Sequence, residues 1–210
     1  MNRLPTGFLL VLEGIDGAGK TTISNLLKQK LENSYSVIQT KEPGDSSIGE
    51  TIRTIVNTTK KSLDPIAEYL LFAADRAQHQ AELLTPALKA GNIVISDRLT
   101  DSSIAYQGFG RKISISHIAQ VNTWAMSGIF PNLSVYLDIP VAIAIERIQK
   151  RNEEKTRFEK KTDFLEAVKT GFDLLFAENS PTRLRVDATK DSETICNSIY
   201  LRIQQLLPKS

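Results

Sequence analysis

The chain has 210 residues, of which 41% are hydrophobic, and it carries one cysteine and a formal net charge of +2. A single cysteine excludes an internal disulfide framework and a cysteine-cluster zinc site, and it favours a reducing compartment. The small charge and the absence of any apolar run near the ~20 residues that span a bilayer give no support for a nucleic-acid or membrane partner. We therefore expect a cytoplasmic protein in which residues 1–210 form one domain.

Continuous apolar runs predict four buried strands, at residues 8–12, 37–40, 93–96 and 133–137, with a weaker fifth run at 184–186. Strands that are apolar throughout, without alternation, are typical of a parallel sheet covered on both faces. Helical patterns separate these runs, and such alternation predicts an open α/β sheet with right-handed crossovers.

Several helix boundaries carry their own signals. Asp64 and Pro65 are an N-cap and a first helical residue, which predicts a helix to about Gln80. Thr85 followed by Pro86 repeats the pattern and predicts a new helix start. Gly91 is placed where that helix is expected to end. Further helices are expected at residues 23–31, 141–151, 163–177 and 192–207.

Residues 14–21 read Gly-Ile-Asp-Gly-Ala-Gly-Lys-Thr and match the P-loop pattern completely. In such a loop the backbone N–H groups and the following helix N-terminus bind phosphates. Lys20 would reach the β- and γ-phosphates, and the Thr21 hydroxyl would bind Mg²⁺. An accidental glycine-rich turn is disfavoured because the motif lies between a predicted strand and a predicted helix. The expected ATP-binding residues of this loop are Gly14, Ile15, Asp16, Gly17, Ala18, Gly19, Lys20, Thr21 and Thr22.

The predicted third strand ends in a carboxylate, Asp97, as a Walker B segment does. At the carboxyl edge of the sheet, beside the P-loop, this group is expected to contact Mg²⁺ directly or through water. A GTPase is disfavoured because the chain contains no Asn-Lys pair of the kind that reads guanine. Motor and transport ATPases are normally longer, so the residues favour a small-molecule kinase.

Phe72 and Arg76 are four residues apart on a predicted helix and therefore share a face. An aromatic ring and a guanidinium on one face can stack on a base and reach a phosphate or a base edge. From the residues alone, a core phenylalanine beside a solvated arginine is the favoured interpretation.

Across nearly its whole length the chain resembles the thymidylate kinases. The similarity is carried by blocks in the same order and spacing, at residues 13–22, 42–44, 71–76, 97–98, 102–108, 136–138 and 186–189. The resemblance implies a P-loop nucleoside monophosphate kinase fold, with a five-stranded parallel sheet flanked by helices and a short lid near 147–161. It further implies transfer of the ATP γ-phosphate to dTMP with Mg²⁺, and a homodimer formed through helices near 70–80 and 118–126.

The same resemblance implies roles in the acceptor site. Phe72 would stack on thymine and Arg76 would bond the pyrimidine edge, while Arg53 and Arg98 would clamp the 5′-phosphate. Asp16 would accept a hydrogen bond from the sugar 3′-hydroxyl. Other residues would shape the pocket or crowd the 2′ position, and Glu42 would be a nearby polar or water-mediated Mg²⁺ contact. This further group comprises Pro43, Ser102, Ser103, Tyr106 and Gln107.

On the donor side, Gly17 stands where some members of the family have an arginine. The resemblance then assigns the catalytic cations to the lid, at Arg151 and Arg157, with Arg147 nearby on ATP. Asp187 and Ala188 resemble the turn whose backbone reads adenine.

Three departures from the family pattern concern Leu99, Lys41 and a lid one residue longer than usual.

Two other functions stay open. One is a kinase for dUMP, another monophosphate or a deoxynucleoside, and the other is a non-catalytic nucleotide-binding protein.

Overall fold

The computed structural model describes residues 3–59, 63–150, 162–178 and 180–208. Five parallel strands form one sheet in the order β2-β3-β1-β4-β5. Their bounds are β1 (Phe8–Glu13), β2 (Val37–Lys41), β3 (Ile93–Asp97), β4 (Leu133–Asp138) and β5 (Arg183–Asp187). All five predicted strands are confirmed, including the weak fifth one, and so is the flanked parallel sheet.

Nine α-helices and two π-helical segments lie in the described residues. The α-helices are α1 (Lys20–Leu31), α2 (Gly49–Thr58), α3 (Pro65–His79), α4 (Thr85–Lys89), α5 (Thr100–Ser103), α6 (Ile115–Met126), α7 (Val141–Lys150), α8 (Thr162–Leu175) and α9 (Ser192–Leu206). The π-helical segments are π1 (Gln80–Leu84) and π2 (Ile104–Gly110). Helix α2 was not predicted, because Thr and β-branched residues give it low intrinsic propensity. Its formation depends on burying Ile52 and Val56.

The two predicted helix starts with proline have different outcomes. The Asp64 side chain accepts hydrogen bonds from the N–H groups of Ile66 and Ala67, which confirms the N-cap. An α-helix does begin at Thr85, but Thr85 does not cap it, because the chain is already helical before this residue. The N–H of Thr85 bonds five residues back to the carbonyl of Gln80, in the wider π geometry. Pro86 is accommodated after this widened turn, where the proline ring would otherwise crowd the preceding turn.

The core lies on both faces of the sheet. Along β1, Leu10 and Leu12 pack into one apolar cluster while Leu9 and Val11 pack into another. This separation follows from the alternation of side chains along a strand. Cys196 of α9 is buried in the first cluster, where it packs as a small apolar residue.

No helix among the described residues has the length and apolar character needed to cross a membrane. The carboxyl ends of β1 and β3 lead directly into the P-loop and into Arg98, so the predicted functional residues meet at one edge of the sheet.

Candidate active site

The P-loop bends around the end of β1 with positive φ angles at three glycines: Gly14, Gly17 and Gly19. A Cβ at Gly17 would lie 2.5 Å from the carbonyl oxygen of Ala144 on α7, so a larger residue would displace backbone there. Because α7 approaches so closely, this structure has no space for a side chain at position 17, where the resembled family can have an arginine.

Lys20 begins α1 and is buried beneath this loop. Its Nζ donates to the carbonyl oxygens of Gly14, at 3.2 Å, and Ile15, at 3.1 Å. Burial and the nearby Arg98 charge lower the pKa of Lys20, an effect that the Asp97 carboxylate opposes. The Ile15 side chain is packed in the core, so this residue offers only its backbone to the loop.

Thr21 and Asp97 meet at the mouth of the P-loop, where Thr21 Oγ1 lies 3.4 Å from Asp97 Oδ2. Asp97 Oδ1 is buried and has no hydrogen-bond partner among the described residues. A buried carboxylate oxygen without a partner, beside a hydroxyl and a phosphate-binding loop, fits a hard cation. The described residues contain no cluster of three or more His, Cys, Asp or Glu that could hold a metal ion alone. A Mg²⁺ ion would therefore depend on nucleotide phosphates and water for its other ligands.

Glu42, which was predicted as a nearby polar or water-mediated Mg²⁺ contact, has buried protein partners on both carboxylate oxygens. It is buried, and its Oε2 accepts from Arg76 Nε at 2.9 Å. Its Oε1 lies 2.8 Å from Nδ1 of His79, whose Nε2 lies 2.6 Å from Thr40 Oγ1. Both carboxylate oxygens thus have protein partners and Glu42 orients Arg76, while the water-mediated contact with Mg²⁺ stays a prediction. His79 was not predicted, because a histidine at a helix end gives no signal of this pairing in the sequence.

Arg76 is buried, which excludes the solvated arginine that its sequence left open. In addition to the bond from Nε to Glu42, Arg76 donates through Nη1 to Ser103 Oγ at 3.0 Å and to Asn122 Oδ1 at 2.6 Å. Its Nη2 donates to the carbonyl oxygen of Leu99 at 3.1 Å. Four of its five N–H groups thus have described partners, and the guanidinium still lines the cleft. Phe72 is half-buried at the same cleft, so it is not a core residue either.

Arg98 joins the P-loop to the rest of the cleft. Its Nη1 donates to Gly14 O, at 3.0 Å, and to Ser102 Oγ, at 3.1 Å. Its Nη2 donates to Asp16 Oδ1, at 2.5 Å, and to the Tyr106 hydroxyl, at 3.1 Å. The guanidinium also lies over the Tyr106 ring, 4.8 Å from its centroid. Burial would raise the pKa of Asp16, but the charges of Arg98 and Lys20 outweigh it and hold that pKa below its usual range.

The cleft has a volume of about 490 Å³ and brings most predicted residues together. Arg53 is exposed at its rim on α2 and has no hydrogen bond or ion pair to the described residues. The remaining lining residues that were predicted for the acceptor or the donor are Asp16, Gly17, Gly19, Lys20, Thr21, Thr22, Glu42, Pro43, Phe72, Arg76, Asp97, Arg98, Ser102, Ser103, Tyr106 and Gln107. Lining residues without a predicted role are Lys41, Val56, Asn57, Asp75, Leu99 and Ile148.

A second hollow of about 340 Å³ lies on the other side of the P-loop, where Ala18, Arg147 and Ala188 line it. Arg147 Nη2 donates to the carbonyl oxygen of Ala188 at 3.1 Å, which ties α7 to the turn after β5. The Asp187 carboxylate accepts from the backbone and hydroxyl of Thr189 and does not line the hollow. The predicted lid cations, Arg151 and Arg157, lie outside the described residues.

Comparisons with known proteins agree with this geometry. A family model described as Thymidylate kinase matches residues 12–199. The chain belongs to the thymidylate kinase family. Its relatives include the thymidylate kinase of Oenococcus oeni, 42% identical over 207 residues that cover 96% of this chain and 97% of that protein. The thymidylate kinase of Desulforudis audaxviator is 40% identical over 206 residues, covering 96% and 92%.

The family assignment extends to solved structures. The crystal structure of thymidylate kinase from Ehrlichia chaffeensis superposes with a TM-score of 0.79 at 29% identity, covering 95% of this chain and 100% of that one. The expected P-loop nucleoside monophosphate kinase fold is therefore confirmed, and the family makes the chain an ATP-dependent phosphotransferase.

Proposed function

We propose that the cleft transfers the γ-phosphate of ATP to dTMP, giving ADP and dTDP. The single observation that carries this proposal is the contact between Arg98 and Asp16. It joins a guanidinium suited to an acceptor phosphate to a carboxylate inside the donor loop. Two substrates bound on either side of this pair would meet at Lys20.

In the donor half, the P-loop amides and the N-terminus of α1 bind the ATP phosphates. Lys20 neutralises charge on the transferred group, and Thr21 and Asp97 would hold Mg²⁺, whose charge would neutralise the phosphates further. Phosphoryl transfer needs positioning and charge neutralisation more than covalent chemistry, so the acceptor oxygen attacks directly and in line.

In the acceptor half, Phe72 stacks on the base and the remaining N–H of Arg76 meets the pyrimidine edge. Arg53 and Arg98 bind the 5′-phosphate, for which a planar guanidinium fork is well suited. The Asp16 carboxylate, kept ionised by its cationic neighbours, accepts from the sugar 3′-hydroxyl. Tyr106 stands beside it and leaves little room for a 2′-hydroxyl, while Pro43, Ser102, Ser103 and Gln107 shape the pocket.

The second hollow suits the adenosine end of ATP, with Arg147 and the backbone of Asp187 and Ala188 around the base. Arg151 and Arg157 of the lid, near 147–161, would supply the cations that the P-loop lacks at Gly17. Covering the nucleotides in this way would also exclude water and limit wasteful hydrolysis of ATP.

A homodimer through α3 and α6 also belongs to this proposal. Leu70 on α3 and Trp124 on α6 are exposed, with 51% and 82% of their surface accessible. Burial of Met126 explains that residue by core packing, whereas core packing does not explain Trp124. A sedimentation or scattering mass of twice 23.3 kDa would support the dimer.

The cytoplasm is the proposed site of action, because a chain with a single, buried thiol suits a reducing compartment.

The acceptor is tested by a coupled assay with purified protein, Mg-ATP and a panel of dTMP, dUMP, UMP, CMP, AMP and thymidine. The proposal expects dTMP to have the highest kcat/KM of the six. A higher kcat/KM for another acceptor would overturn the base assignment but leave the P-loop chemistry in place. Tight ATP binding with no turnover of any acceptor would favour the non-catalytic alternative.

A further inference from the structure

We propose that Glu13, the last residue of β1, is a positioning residue that holds Arg98 in place for the acceptor phosphate. The inference rests on the proposed function, since it concerns the arginine that binds the acceptor there. Glu13 immediately precedes the P-loop but lines neither hollow, and it received no role from the sequence.

Glu13 is completely buried, and its carboxylate accepts three hydrogen bonds from the segment that follows Arg98. Oε1 accepts from the backbone N–H of Leu99, at 2.9 Å, and of Ser102, at 3.3 Å. Oε2 accepts from the Ser102 hydroxyl at 2.5 Å. All three donors lie within four residues of Arg98, so one carboxylate fixes the backbone that carries this side chain.

The Ser102 hydroxyl links this carboxylate to the Arg98 guanidinium. A hydroxyl has one hydrogen to donate and two lone pairs to accept with. Because its hydrogen is directed to Glu13, the Ser102 oxygen can accept from Arg98 Nη1, at 3.1 Å. Glu13 therefore sets the direction of the hydroxyl and, through it, one of the contacts that orient the guanidinium fork.

Arg98 also needs support at its backbone. Its φ is 74°, in the left-handed region, a strained conformation that a non-glycine residue keeps only when its surroundings enforce it. The Arg98 N–H bonds to the carbonyl oxygen of Leu12, and the Ser96 hydroxyl donates to the Arg98 carbonyl. The bond from Leu99 N–H to Glu13 fixes the next peptide, so the unusual conformation is held on both sides.

An ionisable group at this place is costly, which argues for a use beyond packing. Burial and the neighbouring Asp101 carboxylate raise the pKa of Glu13 to about 7, although Ser102 and Arg98 counteract them. Asp101 is in turn bonded to Arg183, at 3.0 Å. An apolar residue of similar size would avoid this desolvation cost but would leave the three donors without acceptors.

The test compares wild type with Glu13→Gln, which keeps the size of the side chain. The amide nitrogen of glutamine donates a hydrogen bond and cannot accept one. The Ser102 hydroxyl must therefore turn its hydrogen away from residue 13, which redirects the lone pair that accepts from Arg98 Nη1. We expect kcat/KM for dTMP to fall about 10- to 100-fold, as for a misplaced catalytic contact, while the Kd for ATP measured by calorimetry stays within about twofold. A loss confined to the acceptor side is a result that a merely structural role would not give.

Two further variants sharpen the comparison. Glu68→Gln makes the same chemical change at another completely buried carboxylate, on α3, whose partner Arg111 does not line the cleft. It is expected to keep kcat/KM for dTMP within about twofold, because it does not touch the Arg98 segment. Ser102→Ala removes only the hydroxyl link. In a double-mutant cycle, the decrease in kcat/KM for dTMP caused by Ser102→Ala should not add to the decrease caused by Glu13→Gln.

The outcomes separate this inference from the proposed function. Wild type that fails to phosphorylate dTMP refutes the proposed acceptor, and the variants are then compared on the acceptor that it prefers. Wild-type kinetics in Glu13→Gln, or an equal loss in Glu68→Gln, would overturn the role of Glu13. If Glu13→Gln does not fold, Ser102→Ala carries the test, and an unchanged kcat/KM in that variant would refute the hydroxyl link.

Discussion

The two halves of the cleft are built by different means. The donor half is mainly backbone: three glycines with positive φ, the start of α1 and the carbonyl oxygens that hold Lys20, all within eight consecutive residues. The acceptor half relies mainly on buried side chains from α3, α5, α6 and the turn after β2, such as the pairing of Arg76 with Glu42 and Asn122. A site made of backbone is local in the chain, whereas a site made of charged side chains requires partners brought from far away.

This difference predicts different vulnerabilities. In the donor half, added side-chain atoms should be harmful because backbone must approach the phosphates and α7 closely. In the acceptor half, the loss of a single charge should be harmful because its partner is left buried and unpaired.

The largest effect is expected at Lys20, where the donor half does rely on a side chain. Lys20→Ala should lower kcat by about three orders of magnitude or more, since it removes a preorganised charge at the transferred phosphoryl group. The coupled assay measures this loss, and thermal unfolding checks that the fold is retained. Lys28→Ala, on the same helix but outside the cleft, should keep wild-type activity. Near-normal turnover by Lys20→Ala would refute the mechanism.

In the acceptor half, Glu42→Gln should raise KM for dTMP about 10-fold or more, because Arg76 loses its buried ionic partner. It should also lower the free energy of unfolding by about 3 kcal/mol, as expected when one member of a buried pair is removed. Initial rates as a function of dTMP and of Mg²⁺ concentration separate this role from the one first predicted. If only the Mg²⁺ concentration required for activity changed, with KM for dTMP unaltered, the result would support Glu42 as a metal contact.

Gly17→Ala tests the claim that the donor half cannot accept side-chain atoms. The φ of 83° and the 2.5 Å approach to Ala144 together should cost about 2 kcal/mol of stability and raise KM for ATP. Gly128→Ala is a matched control, because Gly128 has φ 82° but no atom within 4 Å of an added Cβ. Equal losses of stability in the two variants, measured by denaturant unfolding, would show that the close approach to α7 has no cost.

The last prediction concerns the pH dependence of stability and leaves catalysis aside. With a pKa of about 7 in the folded protein and 4.5 as its ordinary value, Glu13 binds a proton in the folded state that the unfolded chain has released between these pH values. Its contribution to stability is therefore present below pH 4.5 and is lost as pH rises through 7, by at most about 1.4 kcal/mol per pH unit. Glu13→Gln should lack this decline.

Unfolding free energies of both proteins at several values from pH 5 to 8 measure this difference. The value for wild type minus that for the variant should become smaller as pH rises. A difference that stays constant across the range would show that Glu13 is ionised throughout, with its charge stabilised by Ser102 and Arg98.

Much of the molecule could be predicted because the decisive signals are local. Each strand is a continuous apolar run, the Asp64 cap lies beside the helix that it begins, and the P-loop is one uninterrupted segment between β1 and α1. The cap predicted at Thr85 failed, because the same Thr-Pro pattern also fits a helix that continues through a π-helical turn before Pro86.

The sequence by itself determined the sheet, the P-loop, the Walker-type carboxylate and the family, since these depend on the order of neighbouring residues. Only the tertiary structure decided that Glu42 faces Arg76 and His79, that Asp97 has a buried oxygen without a partner in the described part of the chain, and that Glu13 lies behind Arg98. Such assignments depend on which polar groups are removed from water together, because a buried charge must find its partner wherever the fold places one. Residues as far apart as Glu13 and Ser102 become neighbours only when β1 and β3 pair in the sheet.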